Sequence, residues 1–254
     1  GNPKGSDPRT AQDTAYCAMG LAAWTYVTRD PTTEALVMAF RDLLMEGPFW
    51  DPIAGRIVDA RTPDLGAEVD LEQDNGWELV AQLDAINALL LLVQPVLSDA
   101  SDRAQVLADL ELLTQRLITS FWSDGLFWGV HDQHGQYGSK HADFGHTLKA
   151  YWMVRQVDQR LPSHPFAGFL ADHAGDALER AWDPSEGRWA KRPTGPTSVE
   201  YGSDWWIYAE ADQAAMAFWL EGGAWPFQDR LVRSWTHWIA DYVDTTRPVR
   251  EVVP

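Results

Sequence analysis

Two stretches of the chain put reactive side chains at helical spacing. The first reads Ala142-Asp143-Phe144-Gly145-His146-Thr147-Leu148-Lys149. His146 falls in the first turn of a predicted helix, near the positive end of the helix dipole. That position favours the neutral imidazole a general base requires. Lys149 follows at i+3 on the same face and adds to the effect. The second stretch reads Asp204-Trp205-Trp206-Ile207-Tyr208-Ala209-Glu210. Trp206, Glu210 and Gln213 share one stripe, beside a packing face of Ile207, Ala211, Ala214, Ala215 and Phe218. An indole face stacks on the apolar face of a sugar ring, and its N–H can donate to a hydroxyl. A carboxylate beside it on an inner helix is poorly solvated, and needs a substrate hydroxyl, a cation or a proton. Plainer readings stand next to these. A single His on an apolar helix is more often a packed core residue, and Glu210 can pair with an arginine from a neighbouring helix.

Tryptophan is the compositional outlier, with 14 copies. Trp128, Trp189, Trp205 and Trp206 lie in long connections or just beside them, so they are candidates for ligand contact, although core packing explains most tryptophans. Asp84 stands in an otherwise apolar helix with Glu78, Gln82 and Asn87, and buried polar groups need partners or a ligand. His131, His134, His141 and His146 fall close together, with Asp132 and Asp143 nearby. None of the ligand spacings of a helical zinc site is present, so no metal is expected. There is no phosphate loop, nucleophile elbow or dinucleotide fingerprint, and no cofactor is expected.

The elements that must position these residues are helical. Three segments share one pattern: Trp50-Asp51 with Gly55-Arg56, Trp122-Ser123-Asp124-Gly125, and Trp182-Asp183 with Gly187-Arg188. Each ends an apolar run, and self-similarity at such a period marks a repeat fold. Periodicity and end signals predict eight helices. They cover about 10–27, 31–45, 77–93, 98–121, 146–160, 166–181, 205–221 and 226–242. Links within each pair are short, which makes antiparallel hairpins. Links between pairs, about 46–76, 122–145 and 183–204, are long. All of them follow the second helix of a pair, so they belong on one face, and the site is expected there. The competing reading makes them β-hairpins that decorate an edge; Gly125 to Val130 does read as strand. First helices of each pair should form an inner ring, and the third is apolar all round.

A chain of 254 residues with 45% hydrophobic content can bury a sizeable core, and is read as one domain over 1–254. Its net charge of -17 argues against nucleic acid and against an anionic membrane surface. The longest apolar run, Ala88 to Val93, is too short to span a bilayer. Cys17 is alone, so no internal disulfide is expected. The first residues carry no apolar signal region, which points to the cytoplasm.

At these residues the chain resembles the N-acylglucosamine 2-epimerase superfamily, with its cellobiose 2-epimerases and mannose-type aldose–ketose isomerases. Gln82-Leu83-Asp84-Ala85 falls where that family has Leu-Glu-Ala on an inner helix. Gly145-His146 is similar to its Gly-His at a helix start, and Trp205-Trp206-Ile207-Tyr208-Ala209-Glu210 to its Trp-Trp-x-x-Ala-Glu. Trp182-Asp183-Pro184 with Gly187 and Trp189 matches its Trp-Asp-x-x-x-Gly-x-Trp turn. The resemblance implies an all-α, (α/α)6-barrel type toroid, of which about four of six hairpins are recognisable here. The family's N-terminal substrate-binding Arg and its second, C-terminal catalytic His have no counterpart in this sequence. Four hairpins leave such a ring open, and further chain or a partner, such as a second copy in a homodimer, is expected to cover the gap.

By resemblance the chain is a sugar 2-epimerase or aldose–ketose isomerase acting on a mono- or disaccharide without metal or redox cofactor. His146 is then an acid/base residue, and Trp206 and Glu210 hold the sugar, with Trp205, Lys149, Asp84 and Trp128 as further binding candidates. Lys149 stands where the family keeps a glutamate, which reverses the local charge. It is expected within salt-bridge reach of an acid. Two other readings fit the same architecture. One is an (α/α)6 glycoside hydrolase using Asp74 with Glu210 or Asp204. The other is a carbohydrate-binding relative without catalysis.

Overall fold

The computed structural model describes residues 7–69, 77–202, 204–220 and 227–243. Eight helices occur among them, in four consecutive antiparallel pairs: α1 (Ala11–Thr28) with α2 (Pro31–Met45), α3 (Leu79–Val93) with α4 (Ala100–Phe121), α5 (Phe144–Asp158) with α6 (Ala167–Ala181), and α7 (Trp205–Trp219) with α8 (Phe227–Tyr242). The caps follow from residue type. Asp30, ahead of Pro31, accepts from the Thr32 N–H at 3.1 Å, and Asp99 accepts from the Ser101 N–H at 2.6 Å. α1 packs on α3, and α5 on α7, so the first helices of the pairs line one side. On the outer side the buried Arg41–Asp109 pair, at 2.6 and 2.8 Å, joins α2 to α4.

The strands form five two-stranded antiparallel ladders. β1 (Arg9–Thr10) pairs with β4 (Ala60–Arg61), and β9 (Arg192–Pro193) with β10 (Val199–Glu200). The other three ladders are the repeated segments. β2 (Trp50–Asp51) pairs with β3 (Arg56–Ile57), β5 (Trp122–Ser123) with β6 (Leu126–Phe127), and β7 (Trp182–Asp183) with β8 (Arg188–Trp189). The acid of the motif is a turn-former. Asp51 Oδ1 accepts from the N–H of Ile53 and Ala54, and Asp183 Oδ1 from the N–H of Ser185 and Glu186. The middle hairpin turns on Asp124 and Gly125, both at positive φ, as a two-residue hairpin loop requires.

The long links are therefore β-hairpins, and they also converge on one end of the helices. In the first link, Asp59 O accepts from the N–H of Ala11 at the start of α1, while Asp59 Oδ2 accepts from the N–H of Glu78 at the start of α3. In the second, Gly129 O accepts from the Leu79 N–H at 2.9 Å. In the third, Lys191 O accepts from the Phe144 N–H at 3.0 Å, at the start of α5. Each link thus reaches back to the inner helix of its own pair, and the orphan donors of the helix starts are satisfied there.

α3 is buried on nearly every face. The window Leu79–Val96 is long and apolar enough to cross a membrane by composition, with mean hydropathy 1.6, and 83% of it is buried inside the protein. The apolar stretch is thus longer than the run Ala88 to Val93 implied. Most of its polar groups find partners, although Asn87 Oδ1 is buried without one. The Gln82 side chain pairs with both backbone groups of Ile57, at 2.9 and 2.6 Å, and Asn87 donates to the carbonyls of Gln82 and Leu83.

Asp59 has a cost that the fold carries. Burial pushes its carboxyl up to about 8, against the Glu78 N–H bond, and its Oδ1 is buried without a hydrogen-bond partner. The unfolded chain ionises this group near 3.8 while the folded one holds its proton to about 8. The folded state then binds more protons, so stability falls as pH rises through that window. Asp59→Asn should flatten this dependence and raise the unfolding midpoint above pH 8, by about 2–4 °C per kcal/mol recovered. Thermal unfolding of both proteins between pH 4 and 9 checks this; equal slopes would contradict it.

Candidate functional site

Asp143 is the N-cap of α5 and the partner of His146 at once. Its Oδ1 accepts from the His146 N–H at 2.8 Å, and its Oδ2 lies 2.7 Å from Nδ1. A carboxylate on Nδ1 fixes the ring and leaves Nε2 for proton transfer. His146 is 8% exposed. The Trp206 ring, in the first turn of α7, meets it edge-on with centroids 4.9 Å apart. That approach depends on Gly145. A Cβ there would lie 2.4 Å from Trp206 Cζ3 and 2.9 Å from Ile207 Cγ1. Gly145→Ala should cost about 1–3 kcal/mol through overpacking. It should also displace Trp206, so the tryptophan emission spectrum should shift. Unchanged stability and emission would count against this packing.

One turn further along α5, Lys149 is clamped between acids from two other inner helices. Its Nζ lies 2.6 Å from Asp84 Oδ1 of α3 and 2.9 Å from Glu210 Oε1 of α7. The outer oxygens are also held. Asp84 Oδ2 accepts from Gln12 Nε2 at 3.1 Å and Tyr16 OH at 3.0 Å, both on α1. Glu210 Oε2 accepts from Trp152 Nε1 at 3.0 Å. Burial opposes charge at Asp84, but Lys149, His146 and Tyr16 outweigh it and hold the carboxyl below the usual carboxylate range. Burial likewise opposes charge on Lys149, and the two carboxylates outweigh it, so the ammonium is retained well above its usual range. Burial and the charge of Asp84 raise the Tyr16 phenol. All four inner helices thus contribute to one polar cluster in an apolar surround.

The rim is built by the second link and the start of α3. Glu78 lies 2.6 Å from Lys140 Nζ, and its other oxygen lies 3.5 Å from His141 Nε2. Burial pushes the Glu78 carboxyl up, but His141 and Lys140 outweigh it and hold it low. The His141 ring sits edge-on to His146, with centroids 4.9 Å apart.

His146, Lys149, Asp84, Glu210 and Trp206 therefore come together. Two other candidates do not. Trp128 is 1% exposed, and its Nε1 donates to Ser123 O at 3.2 Å. It is a core residue, because the second link folds back over the start of α3. Trp205 is 61% exposed; one residue along a helix is about 100° around it, away from the side Trp206 presents. Trp189, in the third link, is fully buried and donates to Asp212 Oδ1 at 2.7 Å. Asp204 is paired with Lys191 at 2.8 Å, and Asp74 lies outside the described residues. Of the four neighbouring histidines, His141 and His146 stay together and the other two lie elsewhere. His131 stacks on Trp77, and His134 Nε2 meets Ser120 O. Among the described residues no group of His, Cys, Asp or Glu gathers to hold a metal.

Residue type and spacing did not single out Gln12, Tyr16, Trp152, Glu78 or His141 as site residues. Gln12 and Tyr16 do stand at i and i+4 on an inner helix, which is the signal that could have found them. A cavity of about 570 Å³, lined by Thr10, Thr14, Cys17, Phe40 and Leu65 among others, lies against α1, α2 and the first link. None of the clustered residues lines it.

Neither a family model nor a curated protein matches the sequence. Solved structures do. Cellobiose 2-epimerase from Spirochaeta thermophila DSM 6192 matches at TM-score 0.73 and 20% identity, over 92% of this chain and 59% of that one. Cellobiose 2-epimerase from Bacillus thermoamylovorans B4167 matches at TM-score 0.74 and 12% identity, over 95% of this chain and 62% of that one. A D-mannose isomerase matches at TM-score 0.73 and 15% identity, over 91% of this chain and 59% of that one. The chain has the fold of these sugar epimerases and isomerases. It spans about three fifths of their length. In this epimerase-type fold, the all-α ring of hairpins puts the long links at one end and the His146 cluster beneath them.

Proposed function

We propose that the protein acts on a sugar by proton transfer at the carbon beside its carbonyl, as a 2-epimerase or aldose–ketose isomerase. The observation that carries this reading is the Asp143–His146 pair, with Nε2 left over, at the end of a ring of inner helices and against the ring of Trp206. The fold shared with proteins named cellobiose 2-epimerase and D-mannose isomerase supports it.

In this reading Trp206 stacks on the sugar and Asp143 holds the His146 ring. Nε2 takes the proton from C2 of the open-chain aldose, and the electron pair moves into an enediolate. General acid–base catalysis of this kind is worth about 10²–10⁴-fold. Lys149 has three N–H donors and two carboxylate partners, so one donor is left for a sugar oxygen. Glu210 and Asp84 then serve chiefly to hold Lys149.

A glycosidase would need two carboxylates free to act as acid and base. Glu210 and Asp204 are both engaged by lysines, which favours proton transfer at carbon over hydrolysis. The test is product analysis after incubation with D-mannose and with cellobiose. The expected product is an epimer or a ketose of the same mass. Release of monosaccharide from cellobiose would indicate hydrolysis, and binding without any product would indicate a lectin-like protein; either would overturn the reading.

A further inference from the structure

The link that brings His141 to His146 is built at some cost. His141 adopts φ 56, a left-handed conformation that a non-glycine residue holds only when its surroundings impose it. Room for it comes from Gly129, on the opposite run of the same link. A Cβ at Gly129 would lie 1.8 Å from Lys140 O and 2.6 Å from His141 Cβ. The imidazole is then oriented by Glu78, 3.5 Å from Nε2, which leaves Nδ1 as its second nitrogen. The side chain keeps 26% of its exposure, against 10% for His146, so it stands at the rim with its neighbour just inside.

We propose that His141 is a second proton-transfer residue, acting beside His146 on the same side of the sugar, and that this arrangement suits aldose–ketose isomerisation. The inference rests on the proton-transfer reading of His146 and deepens it. The two imidazole centroids are 4.9 Å apart, so in this proposal both reach the sugar from one side. Isomerisation needs nothing from the other side. His146 Nε2 removes the C2 proton as the C1=C2 bond forms, and imidazolium His141 gives a proton to O1, completing the enediol. His141 then takes the proton from O2 as C2=O2 forms, and His146 returns its proton to C1. The net change is one hydrogen from C2 to C1 and one from O2 to O1, with both imidazoles restored. Epimerisation, in contrast, requires reprotonation of C2 from the opposite face.

The test uses the full protein with D-mannose as probe, comparing wild type, His141→Gln and His146→Ala. Wild type should form ketose, and with C2-deuterated mannose in ordinary water it should carry part of the deuterium to C1. His141→Gln should keep exchange of the C2 hydrogen with solvent, which needs only His146, and lose about 10²–10⁴-fold in ketose formation. Label transfer in wild type reads the same-side geometry even if the variant fails to fold. Exchange in wild type with ketose formation unchanged in a folded His141→Gln overturns this inference alone, as does an epimer as sole product without label at C1. Absence of both solvent exchange and label transfer in wild type overturns the reading of His146 and this inference with it.

Discussion

If the proposed proton transfer holds, His146→Ala should lower turnover by about 10²–10⁴-fold and leave sugar affinity nearly unchanged. In the proposed reaction the ring supplies Nε2 and an edge to Trp206, while Lys149 and the Trp206 face, the proposed sugar contacts, stay in place. Asp143 keeps its bond to the backbone N–H of residue 146, so the start of α5 is preserved and the variant should fold. Steady-state rates, with binding followed by tryptophan fluorescence, separate the two effects. A variant that retains full turnover would remove His146 from the mechanism. One that loses binding and turnover equally would make it a binding residue.

Lys149→Met destabilises the protein by about 3–5 kcal/mol, because it leaves two carboxylates facing each other in a buried site. Lys149, Asp84 and Glu210 have side-chain exposures of 15%, 8% and 19%, so water screens the cluster poorly. Asp84→Asn with Glu210→Gln in the same background should recover much of the loss, since neutral amides tolerate the missing cation. Urea unfolding of the single and triple variants measures this. The pH dependence has a definite sign. Asp84 is held below 3.8, so its contribution is present above that pH and fades as pH falls further. Lys149 is held above 10.5, so its contribution is present below that pH and fades as pH rises past it. A Lys149→Met protein as stable as wild type near pH 7 would contradict the clamp.

The helical frame was legible because its signals are local. Asp30-Pro31 starts α2, and the repeated Trp-Asp…Gly-Arg segments end the outer helices and turn the chain into hairpins. α5 begins at Phe144, two residues before His146 where the helix was expected to start, because Asp143 takes the cap. The charge on Lys149 could be read as needing an acid, and two acids on inner helices were available in Asp84 and Glu210.

What was hidden depends on how the links fold back. Trp128 sits in a connection and reads as available to ligand, yet its neighbour Gly129 bonds to the start of α3 and carries the indole into the core. Trp205 and Trp206 are adjacent in sequence, and only helix phase separates the exposed one from the one against His146. His141 reaches the site through a positive φ and through a glycine twelve residues upstream, and neither has a signature in spacing or composition.

The most direct test of proton transfer at carbon is to incubate the protein with D-mannose in deuterated water and follow the C2 proton by NMR. The C2 signal should decay in the presence of wild-type protein and persist with His146→Ala. A wild-type protein that binds the sugar and leaves the C2 signal intact would contradict the account.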